Sequence, residues 1–167
     1  MDKMFCFQCQ QTAHNTGCEG NAGVCGKKCG TANAQDALTN ALIGLARAVN
    51  KKTPSEQSDR LVLKGLFTTI TNVNFHEDNV RKLTQEIQAE RNVIDASAEE
   101  YDIRNIWENH EDIRSLKSLI LFGLRGMAAY AYHALALGYT DRDVLNYFYE
   151  ALAVLGEPSD TSTANNK

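Results

Sequence analysis

Along most of the chain, apolar residues recur with the period of a helix rather than that of a strand. Leu38, Ala41, Leu42, Leu45 and Val49 follow i, i+3, i+4, i+7, i+11 spacing, which puts them on one helix face. A second stripe is Leu63, Leu66, Phe67 and Ile70, with Ser58 or Asp59 as its N-cap. A third, Val80, Leu83 and Ile87, follows Asn74 and Glu77 at capping-box spacing. The longest stripe is Ile113, Leu116, Ile120, Leu124, Met127, Ala131 and Leu135, and it stops at Gly138. The last is Val144, Phe148, Leu152 and Leu155, started by Thr140 and Asp143 and ended by Gly156 and Pro158. Residues 93–110 fit either a loop or a short helix. The pattern predicts an all-α fold of about five helices in an up-and-down bundle, because short connections favour antiparallel neighbours.

A small motif recurs within these stripes: Ile43-Gly44-Leu45, Lys64-Gly65-Leu66 and Phe122-Gly123-Leu124. Glycine inside a helix costs roughly 1 kcal/mol relative to alanine. We read these sites, and Gly126 beside Ala128, Ala129 and Ala131, as places where helices approach closely.

Composition divides the chain into three parts. Residues 1–33 are rich in cysteine and glycine, residues 34–156 form the helical bundle, and residues 157–167 make a flexible polar tail or linker. Apolar residues are 43% and charged residues 23%, the balance of a folded domain. Seventeen Lys and Arg against 21 Asp and Glu give a net charge of −4, which argues against nucleic acid as a partner. No uninterrupted apolar run reaches the ~18 residues of a membrane span. The first residues lack the apolar stretch of a signal peptide, so a cytoplasmic location and no membrane partner are expected.

All five cysteines, Cys6, Cys9, Cys18, Cys25 and Cys29, lie in the first part. An odd count crowded at one end does not suit a disulfide framework, and crowded thiols in a reducing compartment are more often metal ligands. Cys6 and Cys9 stand at CxxC spacing, and Cys18 and Cys25 follow after gaps of eight and six residues. Four such thiolates complete the shell of an iron–sulfur cluster. Structural zinc also takes four thiolates, though usually from two short pairs, and only the first pair is short here. A redox dithiol is a third reading of CxxC, but no βαβ pattern surrounds it. Lys3, Lys27 and Lys28 are placed to offset the negative charge of a thiolate-bound cluster, and Phe5 and Phe7 to shield it from water. Cys29 is left over as a spare thiol or a substitute ligand. His14 lies inside the cysteine block and reads as a loop residue. His76 and His110 lie near helix starts, and His133 reads as helix packing. No phosphate-binding loop and no nucleophile–base pair is visible, so no catalytic residue is assigned.

Several stretches carry a family resemblance. Met4-Phe5-Cys6-Phe7-Gln8-Cys9-Gln10-Gln11-Thr12-Ala13, then Thr16-Gly17-Cys18, Gly23-Val24-Cys25-Gly26-Lys27 and Ala32-Asn33-Ala34-Gln35-Asp36, resemble the amino terminus of the hybrid cluster proteins, also called prismane proteins or hydroxylamine reductases. Gly65-Leu66-Phe67-Thr68-Thr69-Ile70-Thr71-Asn72-Val73-Asn74, Glu111-Asp112-Ile113-Arg114-Ser115-Leu116-Lys117 and Gly123-Leu124-Arg125-Gly126-Met127-Ala128-Ala129-Tyr130-Ala131 are similar to later stretches of the same family. The resemblance implies that Cys6, Cys9, Cys18 and Cys25 hold an electron-transfer cluster. The gap between Cys9 and Cys18 is that of members with a [4Fe–4S] cubane; the gap between Cys18 and Cys25 is that of members with [2Fe–2S]. The cubane is our expectation and [2Fe–2S] the alternative. Cys29 lies outside the family pattern.

Family members are several-fold longer, and the positions that hold their catalytic hybrid cluster have no counterpart here. The resemblance therefore implies an electron-transfer domain or subunit of a hydroxylamine reductase, passing electrons to a hybrid-cluster site that reduces hydroxylamine or nitric oxide. Its expected partners are an electron donor and a larger reductase polypeptide, or a second copy of itself. The alternative is a stand-alone iron–sulfur carrier or a redox or nitric-oxide sensor, and a weaker one is a zinc-stabilised interaction domain.

Overall fold

The computed structural model describes residues 3–9, 11–50, 52–70 and 73–158. The expected tail lies outside the described residues from position 159 onward. Two short strands, β1 (Met4–Cys6) and β2 (Cys18–Gly20), form an antiparallel hairpin around a single 3-10 turn at Ala13–Asn15. Six helices follow: α1 (Cys29–Val49), α2 (Glu56–Thr68), α3 (Glu77–Ile94), α4 (Arg104–Trp107), α5 (Glu111–Ala136) and α6 (Arg142–Leu155). The five long helices are those the apolar period predicts. The fourth, a single turn, falls in the ambiguous stretch, and the hairpin was not expected.

Helix α1 is the centre of the bundle, touching α2, α3, α6 and β1. Its Leu38, Leu42, Ile43 and Leu45 are fully buried. Each such burial contributes about 1.5–3 kcal/mol. Leu66 from α2, Ile87 from α3 and Phe148 and Leu152 from α6 close the same core. A Cβ placed on Gly65 would stand 2.7 Å from Leu42 and 3.1 Å from Ile87, so the glycine lets α2 press against α1 and α3. At Gly44 a Cβ would make only ordinary contact with Arg91, at 3.4 Å, so no close approach requires glycine there. At Gly123 and Gly126, among the described residues, nothing outside the helix stands within 4 Å of a Cβ placed on either.

Helix α5 presents its predicted stripe to the core only in part. Leu124 is buried and Ile120, Ala131 and Leu135 pack against the core, but Leu116 is 58% exposed and Met127 38%, and Lys117, Leu121, Arg125 and Ala128 complete the buried face. The physical reason is that α5 is apolar almost all round, so its period does not select one face. By length and composition it is the one helix among the described residues suited to cross a membrane, and little of it is buried.

The ends are held by side-chain caps. Ser55 caps α2 in a reciprocal box with Ser58, one turn earlier than the sequence signal placed it. Asp141 caps α6 through the N–H groups of Asp143 and Val144 at 2.9 and 3.0 Å. Buried Asp59 ties α2 to α6, accepting from both guanidinium nitrogens of Arg142 (2.6 and 3.2 Å) and from the Tyr149 hydroxyl (2.9 Å).

Candidate functional site

The site is built on the hairpin. Its register sets Met4 opposite Gly20, Phe5 opposite Glu19 and Cys6 opposite Cys18. Side chains alternate across a strand, so Met4 and Cys6 share one face. They are buried there with Cys18 against Ala32 of α1. Phe5 and Phe7 take the other face and meet Trp107 edge-on, with ring centroids 5.7 and 6.2 Å apart. These two rings fasten the hairpin to the bundle rather than enclosing Cys6. Gly17, at φ +109°, lies against the Phe5 ring where a Cβ would collide.

After the hairpin the chain makes a tight turn. Gly26 N–H donates to the Gly23 carbonyl (2.9 Å) and Gly23 N–H to the Lys27 carbonyl (2.8 Å), with Gly26 at φ +83°. This turn carries Cys25. Cys29 N–H donates to Asn21 (3.2 Å) as α1 begins, and the Cys29 sulfur accepts from Asn33 Nδ2 at 3.6 Å.

The structure therefore treats the predicted ligands unequally. No disulfide joins any of the five cysteines. Cys6 and Cys18 are brought together and buried; Cys9, Cys25 and Cys29 are half-buried. Cys9 lines a groove of about 260 Å³ with Gln8, Ile70, Phe122 and Arg125. Among the described residues, no three of His, Cys, Asp and Glu converge on one metal position.

Two cations are buried around these thiols. Lys27 is 2% exposed, and its ammonium donates to Gln8 Oε1 (2.9 Å) and to the Cys6 sulfur (3.8 Å). Gln8 in turn donates through Nε2 to Asp36 Oδ1 (3.4 Å). Arg125 donates from Nε to Thr69 Oγ1 (3.0 Å), and its buried Nη2 has no hydrogen-bond partner. Burial pushes the Cys6 thiol above its ordinary range, and the Lys27 charge opposes that. Burial also pushes the Asp36 carboxyl up to about 7, against the pull of Arg125, Gln8 and Lys27. The Arg125 guanidinium is brought down to about 10 by burial, offset by Asp36, Cys6 and Cys9.

Of the lysines singled out in sequence, Lys27 reaches the thiols, whereas Lys3 and Lys28 are exposed. Gln8, Asp36 and Arg125 lie within the family-like stretches but were given no role at the site, because only the fold unites hairpin, α1 and α5. The histidines stand elsewhere. His76 and His110 cap α3 and α5, each accepting a backbone N–H at 3.4 Å. His133 lies edge-on to Phe67 at 5.4 Å, and His14 is exposed in the 3-10 turn.

The donor set fits a thiolate-ligated anionic centre. Cysteines outside any disulfide cluster on one short segment, a buried ammonium sits on the Cys6 sulfur, and a buried guanidinium N–H beside Cys9 lacks an acceptor among the described residues.

Hydroxylamine reductase of Caldanaerobacter subterraneus subsp. tengcongensis is 37% identical over 95% of this chain and 35% of that protein. The hydroxylamine reductase of Desulfitobacterium hafniense is 37% identical over 93% of this chain and 34% of its own length. That of Porphyromonas gingivalis is 38% identical over 90% and 32%. The chain spans about a third of the length of these curated relatives. The family model for prismane/CO dehydrogenase proteins matches residues 4–165. The chain belongs to the prismane/CO dehydrogenase family.

Proposed function

We propose that Cys6, Cys9, Cys18 and Cys25 hold a [4Fe–4S] cluster and that the chain is the electron-transfer part of a hydroxylamine reductase. The observation that carries this is the buried Cys6–Cys18 pair with the Lys27 ammonium on the Cys6 sulfur. When bound, the cluster supplies reversible one-electron transfer. Hydroxylamine or nitric oxide would be reduced on a larger polypeptide, because no catalytic constellation is assigned here.

The chain's own residues prepare the site. Lys27 and Arg125 are themselves buried, so the charge with which they offset the thiolates acts in surroundings of low dielectric, most strongly at buried Cys6. Gln8 holds the Lys27 ammonium in place from one side and the Asp36 carboxyl from the other. Asp36, with its pKa near neutrality, keeps a proton close to the buried cations. Phe5, Phe7 and Trp107 pack one face of the hairpin. Cys29, at the start of α1, is a reserve thiol rather than one of the four.

Electron paramagnetic resonance on the full chain, purified without oxygen, tests this. Reduction with dithionite should give a half-integer-spin signal that disappears on reoxidation and returns on a second reduction. Cys6→Ser and Cys18→Ser should abolish it, and Cys29→Ser should leave it. A chain with no reducible signal contradicts the reading.

A further inference from the structure

The outward face of α5 is apolar and free of charge over most of its length. Leu116, Leu119, Phe122, Met127 and Tyr130 lie at helical spacing and remain exposed, Leu119 at 69% and Tyr130 at 82%. Between Leu116 and Leu137 the only Lys, Arg, Asp or Glu residues are Lys117 and Arg125, and both turn inward. Lys117 donates to the carbonyls of Leu155 and Glu157 at 3.0 and 2.8 Å. Gly123 and Gly126 lie in the outward face, and among the described residues nothing outside the helix lies within 4 Å of where their missing Cβ atoms would stand. Glycine weakens a helix interior and earns its place where another backbone comes close. A contiguous exposed apolar patch of this kind marks an interaction surface.

The patch also adjoins the thiols. Phe122, Arg125 and Gly126 of α5 line the same groove as Cys9. Farther along, Met127 and Tyr130 border a groove of about 470 Å³ shared with Val144 and Leu145 of α6.

The occupant follows from length and charge. The curated relatives continue for about two thirds of their length beyond the part this chain matches. A lipid surface is disfavoured, because membrane-lying helices carry Lys and Arg beside their apolar face. Here the two ends of the patch carry a net negative balance, with Glu111 and Asp112 beside Arg114 at one and Asp141 and Asp143 flanking Arg142, which is paired with Asp59, at the other. We propose that the outward face of α5, from Leu116 to Tyr130, is the docking surface for a polypeptide equivalent to that unmatched two thirds, which it seats beside Cys9. The choice of partner rests on the electron-transfer reading above.

Photo-crosslinking in the native host tests it on the full chain. A photo-reactive p-benzoylphenylalanine in place of Leu119 should crosslink to a polypeptide of the same family, at a segment outside the part this chain matches. The same group in place of Val93, which is exposed on α3, should not. Gly126→Leu has room within the chain, so the fold should persist while the crosslink yield falls at least tenfold. Crosslinks to lipid, to a second copy of this chain, equally from position 93, or to nothing would overturn the proposal. The spectroscopic signal of the same preparations separates the two claims: a reducible cluster without this crosslink defeats the docking surface alone, and the crosslink without a cluster defeats electron transfer alone.

Discussion

Residues 29–155 bury a continuous core of helix faces around α1, whereas the cysteine segment before them buries Met4, Cys6 and Cys18 as its apolar side chains, against Ala32. The bundle is therefore specified by hydrophobic burial and capped ends. The segment is held by a three-residue strand pair, two ring contacts on Trp107 and a chain of polar bonds from Cys6 through Lys27 and Gln8 to Asp36. A two-stranded hairpin is marginal by itself in water. On the cluster reading proposed above, the segment's order would depend on what its thiols bind, while the bundle's would not.

Metal removal gives the sharpest break between the two regions. Chelation of the anaerobic protein should abolish hydrogen-exchange protection over residues 3–28 and leave the middle of α1, α3 and α6 protected. Equal loss in both regions contradicts their independence. Leu42→Ala should act in the opposite sense. It removes a fully buried side chain at the α1–α2–α3 contact and should cost about 2–5 kcal/mol in denaturant unfolding, while iron content per folded chain stays the same.

Asp36 joins the two regions, and pH should expose that. Its folded pKa, about 7, lies above the ordinary value of 3.8, so the folded state holds its proton more tightly than the unfolded state. The protonated form favours folding fully below about pH 4. Stability of the metal-free chain should fall as pH rises from there to about 7, and Asp36→Asn should remove that slope. A slope unchanged in the variant assigns it to other groups. The smallest effect belongs to the bundle: Asp141→Ala deletes the α6 cap and should cost about 1 kcal/mol in thermal unfolding.

The bundle was legible because Leu38 to Val49 and Phe148 to Leu155 repeat with the helical period, the latter bounded by the stop signals Gly156 and Pro158. Helix α5 was legible as a helix and only partly in its orientation. Apolar residues surround it, and the inward face is marked instead by Lys117 and Arg125, whose aliphatic stems and charges are both used inside. The hairpin escaped notice because strands of three residues carry no measurable alternation. Cysteine spacing marked the candidate site, and Lys27 was visible beside it. Gln8 and Asp36 are 28 positions apart, and their meeting is a product of tertiary packing that no local pattern encodes.

The most direct test of the account is iron and acid-labile sulfide per chain on protein purified without oxygen. We expect about four of each, bound through the thiolates of one cubane, with both lost in Cys6→Ser and retained in Cys29→Ser. About two of each would replace the cubane with [2Fe–2S]. Stoichiometric zinc without sulfide, or no metal at all, would contradict the assignment of this segment to electron transfer.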